Sequence, residues 1–235
     1  MVLKSSRMRR KKIRNSERIP GRQGDGIDAR SYDDWYETSR VRWIGRTEYC
    51  LLQSVLKAHP GTTLLDVGCG TGYFTRLFAG DGFETVGIDP DSGHVDFAKN
   101  RQGQRDHYLL ADARCLPFRN RSFDFSVAVT SLCFVPEISP ALSEMARVTR
   151  HRFALGLLNR QSLLFQRKSG KGSYKGARWD TTDEVRTLIS GLANDIDVKS
   201  AIFFPSGTFV ARTLERIIPR DLLYGGFLVI SARPK

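Results

Sequence analysis

Apolar residues recur along this chain with two periods, and the alternation between them predicts the architecture. From Tyr32 to Lys57, Trp35, Trp43, Ile44, Leu51, Leu52, Val55 and Leu56 fall at mixed three- and four-residue steps, the period of a helix with one buried face. His59-Pro60-Gly61 ends it. Short apolar runs follow at Thr63–Val67, Thr85–Ile88, Tyr108–Leu110, Phe123–Val129 and Phe153–Leu158, and these read as strands. Helical stretches stand between them at Tyr73–Ala79, Asp91–Asn100 and Pro140–Val148, with Asp91 or Ser92 at an N-cap and Pro140 in a first turn. Strands alternating with helices predict an α/β fold, a single doubly wound, mostly parallel sheet with helices on both faces. The last third reads differently. Gln161–Asp180 is a long polar stretch, and Thr181–Leu192 is a helix with Thr181 or Thr182 as its N-cap and Glu184 close behind. Asp197–Phe204 and Phe227–Ala232 are strand-like around a helical Gly207–Ile218, which predicts a hairpin-like end to the sheet with one antiparallel strand.

Charge refines the domain division. Of the formal +12, residues 1–22 carry +8, from nine basic side chains against the single acid Glu17. Gly21–Gly26 is Gly-rich and polar, so residues 1–26 are expected to be a flexible basic arm and 27–235 the folded domain. Such an arm could steer the protein to nucleic acid or to an anionic surface, or could simply be solvated. No apolar run reaches the roughly 18 residues needed to span a bilayer, and none follows the basic start as a secretory signal would require. Cys50, Cys69, Cys115 and Cys133 are far apart, with no C-x-x-C pair. That spacing argues against a metal site or a disulfide framework; the expectation is four buried-type thiols and a cytoplasmic location.

The chemistry concentrates at the first strand–helix junction, Leu64-Leu65-Asp66-Val67-Gly68-Cys69-Gly70-Thr71-Gly72-Tyr73. Glycines permit a sharp turn and close approach of a ligand, and the next helix's N-terminus adds backbone donors. The dinucleotide fingerprint G-x-G-x-x-G fails here, because Tyr73 or Thr75 stands where the third glycine is needed. A phosphate-binding loop would need Gly-Lys-Ser/Thr, which is also absent.

The spacing that does fit is D-x-G-x-G-x-G. Asp66 through Gly72 resembles the first motif of class I, Rossmann-like S-adenosylmethionine-dependent methyltransferases, and the likeness extends over about residues 30–160 to the small-molecule subfamily grouped with ubiquinone and menaquinone biosynthesis. Three later stations agree. Asp89-Pro90 ends the second strand with an acid, where the family binds the two ribose hydroxyls, a task suited to a carboxylate that accepts two hydrogen bonds. Asp112-Ala113 resembles the segment whose acid accepts from the adenine amino group. Thr130-Ser131-Leu132 resembles the segment that passes the methionine moiety and methyl group. The resemblance implies S-adenosyl-L-methionine as methyl donor and S-adenosyl-L-homocysteine as product, with Asp66, Gly68, Cys69, Gly70, Gly72, Asp89, Pro90, Asp112, Ala113 and Thr130 around it. In the family, the segment before the first strand packs over the cofactor as a lid. Tyr32 or Tyr36 is expected at the methionine end, with an arginine such as Arg42 meeting the carboxylate.

No catalytic base is assigned. His94 reads as an exposed helix position, and His151 precedes the fifth strand at the wrong end of the sheet. Asn/Asp-Pro-Pro-Tyr, typical of amino-methylating enzymes of nucleic acids and glutamine, is replaced by Thr130-Ser131-Leu132-Cys133-Phe134. Cys133 lacks the Pro-Cys context of a cytosine-C5 nucleophile and reads as packed core. The Gly/Lys/Ser run within Asn159–Trp179 reads as a mobile, positively charged flap over an anionic or polar acceptor. The leading expectation is methyl transfer to a small molecule. The alternatives are an RNA or protein methyltransferase anchored by the arm, and a non-catalytic protein that keeps the fold.

Overall fold

A computed structural model describes residues 29–235. The expected arm, 1–26, lies outside them. Among the described residues, seven strands form one sheet: β1 Thr63–Val67, β2 Glu84–Asp89, β3 Asp106–Leu110, β4 Phe123–Val129, β5 Thr149–Leu158, β6 Ala193–Ala201 and β7 Phe227–Pro234. Their order is β3-β2-β1-β4-β5-β7-β6, with β7 antiparallel to both its neighbours and the remaining pairs parallel. The single antiparallel strand near the C-terminus is the one the hairpin-like pattern predicts.

Side chains on successive strand positions feed opposite faces. Leu64, Phe125, Val127, Val129, Phe227 and Val229 pack under helix α2 (Ser39–Leu56) and α3 (Tyr73–Gly80) through Leu52, Val55, Phe74 and Phe78. Leu65, Val67, Ile88, Leu155, Leu157 and Leu228 face the other way, onto α5 (Ile138–Val148) and α7 (Thr182–Ser190) through Leu142, Met145, Val185 and Ile189. Burial on both sides is why these strands read as apolar runs without polar alternation. Helix α4 (Ser92–Lys99) begins where the sequence places its cap, the Asp91 carboxylate accepting from the His94 N–H at 3.0 Å. Thr181 and Glu184 complete a reciprocal capping box at α7.

Three departures from the sequence reading have local causes. The predicted first helix is two, α1 (Ala29–Glu37) and α2, because Thr38 adopts an extended backbone and its hydroxyl donates to the Trp35 carbonyl. Strand β6 begins four residues before the expected Asp197, hidden by a bulge with Asp195 at φ 51°. It stops at Ala201, where Ile202 turns to φ 63° and the N–H groups of Ile202 and Phe203 donate to the buried Glu215 on α8 (Phe209–Ile217). The polar stretch after β5 is also built rather than structureless. It holds α6 (Leu163–Lys168) and a short 3-10 turn at Gly172–Tyr174, and Leu164 and Trp179 pack with Cys133, Leu158, Phe165 and Tyr174.

Candidate active site

The strand order reverses between β1 and β4, and their carboxyl ends diverge into a crevice, the place where open α/β sheets hold ligands. The Gly-rich turn leaves β1 there. Gly68 and Gly72 adopt φ +75° and +83°, conformations that penalise a Cβ. A Cβ on Gly68 would overlap the Ser131 Cβ and lie 2.8 Å from its Oγ, while one on Gly72 would lie 2.6 Å from the Tyr108 hydroxyl oxygen. Two further constraints shape the turn. The N–H groups of Gly68 and Cys69 both donate to the Ile88 carbonyl at 2.8 Å, and the Gly70 N–H donates to Asp89 Oδ2 at 2.9 Å.

Asp89 is fully buried at the end of β2, and its other oxygen accepts from the Asp91 N–H at 3.0 Å. Each carboxylate oxygen therefore holds one backbone donor, which fixes the orientation of the carboxylate at the crevice, and His94 Nδ1 lies 3.9 Å from Oδ1. Asp66, also buried, accepts from the Thr75 hydroxyl at 2.7 Å. Burial pushes its carboxyl up to about 7 against the lowering effect of that bond, and neighbouring Asp89 adds to the rise. Across the crevice Thr130 closes β4 at φ +46°, a strained conformation for a β-branched residue, while Ser131 Oγ donates to the Val67 carbonyl at 2.6 Å.

Two neighbouring cavities open on these groups. The larger, about 290 Å³, is lined at one end by Asp66, Gly68, Cys69, Gly70, Thr71, Thr130 and Ser131. Aromatic side chains wall the rest, from Tyr32, Trp35 and Tyr36 on α1, Tyr73 and Phe74 on α3, and Phe134 and Tyr174 beyond β4 and β5. The smaller, about 40 Å³, lies between Ile88, Asp89, Pro90, Asp112, Ala113, Leu132 and Val135 and shares Gly68, Ser131 and Phe134 with the first. On its rim the Asp112 carboxylate is gripped by the Arg114 guanidinium, which holds it below the usual carboxylate range. Thr71 Oγ1 and His94 Nδ1 are buried beside the larger cavity with no hydrogen-bond partner among the described residues. Backbone that excludes a Cβ and two buried polar atoms without a hydrogen-bond partner, beside buried carboxylates, suit a polar ligand.

Most of the residues expected at the site meet here: Asp66, Gly68, Cys69, Gly70, Asp89, Pro90, Asp112, Ala113, Thr130 and Tyr32 line one cavity or the other, and Gly72 caps α3 just behind. Arg42 does not join them. It is exposed and paired with Glu37, whereas Arg40 lines the cavity with its Nε bonded to the Pro205 carbonyl at 2.7 Å. His94 is no surface residue; it lines the cavity with its ring 6.0 Å from that of Tyr32. The thiols divide: Cys133 is buried, Cys69 half-buried, and Cys50 and Cys115 are exposed, contrary to the expectation of four buried ones. Sequence reasoning also missed the clamp that seats α1. Buried Asp33 pairs with Arg76 at 2.8 Å and with Arg101, and Arg76 in turn donates to the Thr71 carbonyl at 2.6 Å. Above it Tyr36 stacks on Tyr73 with ring centroids 3.9 Å apart. Glu48, on the cavity face of α2, was missed as well.

Known proteins share this arrangement. Residues 65–152 match the family model of the methyltransferase domain. The chain is 41% identical over 95 residues to malonyl-[acyl-carrier protein] O-methyltransferase of Serratia marcescens, covering 40% of this chain and 36% of that one. To demethylmenaquinone methyltransferase of Renibacterium salmoninarum it is 36% identical over 115 residues, 48% of each. The chain thus spans less than half the length of the curated relatives it matches here. A solved structure from Thermotoga maritima, described as a SAM-dependent methyltransferase and possible histamine N-methyltransferase, superposes with a TM-score of 0.68 at 25% identity, covering 88% of this chain and 95% of that one. Motif, strand order and switch-point crevice give the chain the fold of the class I, Rossmann-like S-adenosylmethionine-dependent methyltransferases, and residues 65–152 are similar to their methyltransferase domain.

Proposed function

We propose that the protein transfers a methyl group from S-adenosyl-L-methionine to a small-molecule acceptor, with residues 27–235 as the catalytic domain. The observation that carries this reading is Asp89, a fully buried carboxylate at the end of β2, fixed by the N–H groups of Gly70 and Asp91 at the mouth of the crevice where the Gly-rich turn leaves β1. Asp112 and Ala113 would hold the adenine in the smaller cavity. Asp66, Thr71 and the Gly68–Gly72 backbone would receive the methionine end, with Tyr32 and Arg40 closing over it. Pro90 and Cys69 shape the walls, and Thr130 directs the chain away from the transfer point. When bound, the donor supplies an electrophilic methyl group on a sulfonium. The protein's own part is to align the acceptor and exclude water, and the clamped α1 and the segment carrying Tyr174 cover the cavity for that purpose.

The acceptors in the relatives' names are malonyl-[acyl-carrier protein] and demethylmenaquinone, and a cavity of about 290 Å³ suits a small molecule or a small carried group. No helix among the described residues is long and apolar enough to cross a membrane. Titration calorimetry with S-adenosyl-L-homocysteine tests the assignment: Asp89→Ala should weaken binding at least tenfold. Equal affinity for the two proteins would overturn it.

A further inference from the structure

Helix α2 directs Val41, Ile44 and Glu48 along one stripe, and all three line the larger cavity. Two of them suit an apolar wall. Glu48 does not. Its side chain lies deep in the protein volume, its accessible surface faces the cavity, and among the described residues its carboxyl has neither a hydrogen-bond nor an ion-pair partner. An isolated carboxyl in such a place is costly unless a ligand completes it. None of the motif positions described above accounts for it.

Its surroundings define the ligand. The phenols of Tyr36 on α1, Tyr73 on α3 and Tyr174 beyond β5 lie close enough to feel its charge, and Trp35, Phe74 and Phe134 extend the aromatic wall. Other charged or titratable groups lining the cavity are Tyr32, Arg40, Asp66, Cys69, Asp91 and His94. Arg40 stands two helical turns from Glu48, about 12 Å along the axis, and is engaged with Pro205. An aromatic enclosure attracts cations through its ring faces, and a carboxylate at its wall reinforces that preference while repelling anions.

Building on the methyltransferase reading, we infer that the acceptor is an amine, held by Glu48 and the surrounding aromatic rings as its ammonium form. Glu48 also has the second property an amine acceptor requires. A protonated nitrogen has no lone pair to offer. Passing one proton from the ammonium to the Glu48 carboxylate leaves a neutral amine beside a neutral carboxylic acid, with the nitrogen lone pair free. Burial, by pushing the Glu48 carboxyl up to about 8, makes its ionised form a stronger proton acceptor for this exchange.

The test uses the full chain and three probes with one aromatic body: phenethylamine, 2-phenylethanol and phenylacetate, with benzylamine and tryptamine as smaller and larger amines. Binding is read by calorimetry with saturating S-adenosyl-L-homocysteine. The amines should bind at least tenfold tighter than phenylacetate, and Glu48→Gln should weaken them at least tenfold while changing 2-phenylethanol less than twofold. The affinity of Glu48→Gln for S-adenosyl-L-homocysteine should equal that of the parent, which also reports that the variant is folded. Failure of every amine to bind, equal amine affinity in Glu48→Gln, or preference for phenylacetate would overturn the inference and leave the methyltransferase reading standing. Loss of S-adenosyl-L-homocysteine affinity in Glu48→Gln would instead assign the carboxylate to the cofactor. If the parent protein bound no S-adenosyl-L-homocysteine, the methyltransferase reading itself would fall.

Discussion

Gly68→Ala offers the most direct measure of how tightly the crevice is built. Two costs add at this position. The first is conformational: at φ +75° an L-residue is disfavoured by roughly 1–2 kcal/mol. The second is steric, because the new Cβ overlaps the Ser131 Cβ, and rotating the Ser131 side chain cannot move its own Cβ aside. Relief requires a backbone shift at Thr130-Ser131, comparable to overpacking a core, about 1–3 kcal/mol. Such a shift also loosens the 2.6 Å bond from Ser131 Oγ to the Val67 carbonyl, worth about 1 kcal/mol. The expected destabilisation is therefore about 3–6 kcal/mol, or a fall in Tm of order 10 °C for a domain of this size. Gly61→Ala isolates the first cost, since Gly61 sits at φ +85° with nothing within 4 Å of its Cβ position; it should lose only about 1–2 kcal/mol. In a Ser131→Gly background the steric part vanishes. The four-protein cycle measured by urea unfolding should then show a coupling of about 2–3 kcal/mol between positions 68 and 131. Additivity of the two substitutions within about 0.5 kcal/mol would refute the reasoning.

Two further outcomes follow from the same geometry. The folded pKa of Asp66, about 7, lies above its unfolded value, so the native state holds a proton that the unfolded chain releases. Stability should fall as pH rises from about 4 to about 7, and Asp66→Asn should flatten that slope in Tm measured across the window; an unchanged slope would show the carboxyl to be ionised throughout. Arg42→Ala, which removes an exposed partner of Glu37 outside the cavity, should leave S-adenosyl-L-homocysteine affinity within twofold in calorimetry, and a larger loss would place Arg42 at the methionine end after all.

What could be read in advance and what could not are separated by dimension. Strands such as Thr63–Val67 and Phe123–Val129 announce themselves because burial on both faces leaves a continuous apolar run. Asp66 and Asp89 stand out because each is an acid at the end of such a run, where only a turn or a ligand can satisfy it. Asp33 and Arg76, by contrast, are ordinary helix charges until folding brings positions 43 residues apart to 2.8 Å. Arg40 and Arg42 are equally plausible from sequence, and successive helix positions two apart point to different sides. The break at Thr38 sets the direction of α2, so Arg40 reaches Pro205 while Arg42 turns back to Glu37.

Glu48 shows the same limit most sharply. Within an amphipathic helix a glutamate is expected on the wet side, and no pattern in the chain marks the space opposite it as a cavity rather than solvent. That space exists because α1, α3 and the segment after β5 meet around it without filling it, each contributing a tyrosine. The cofactor end of the crevice is built from strand ends and backbone, and a motif can encode it. The acceptor end is built from side chains of elements far apart in the chain, so its specificity becomes visible only when they are assembled, and a lone carboxyl among aromatic rings is the feature that assembly reveals.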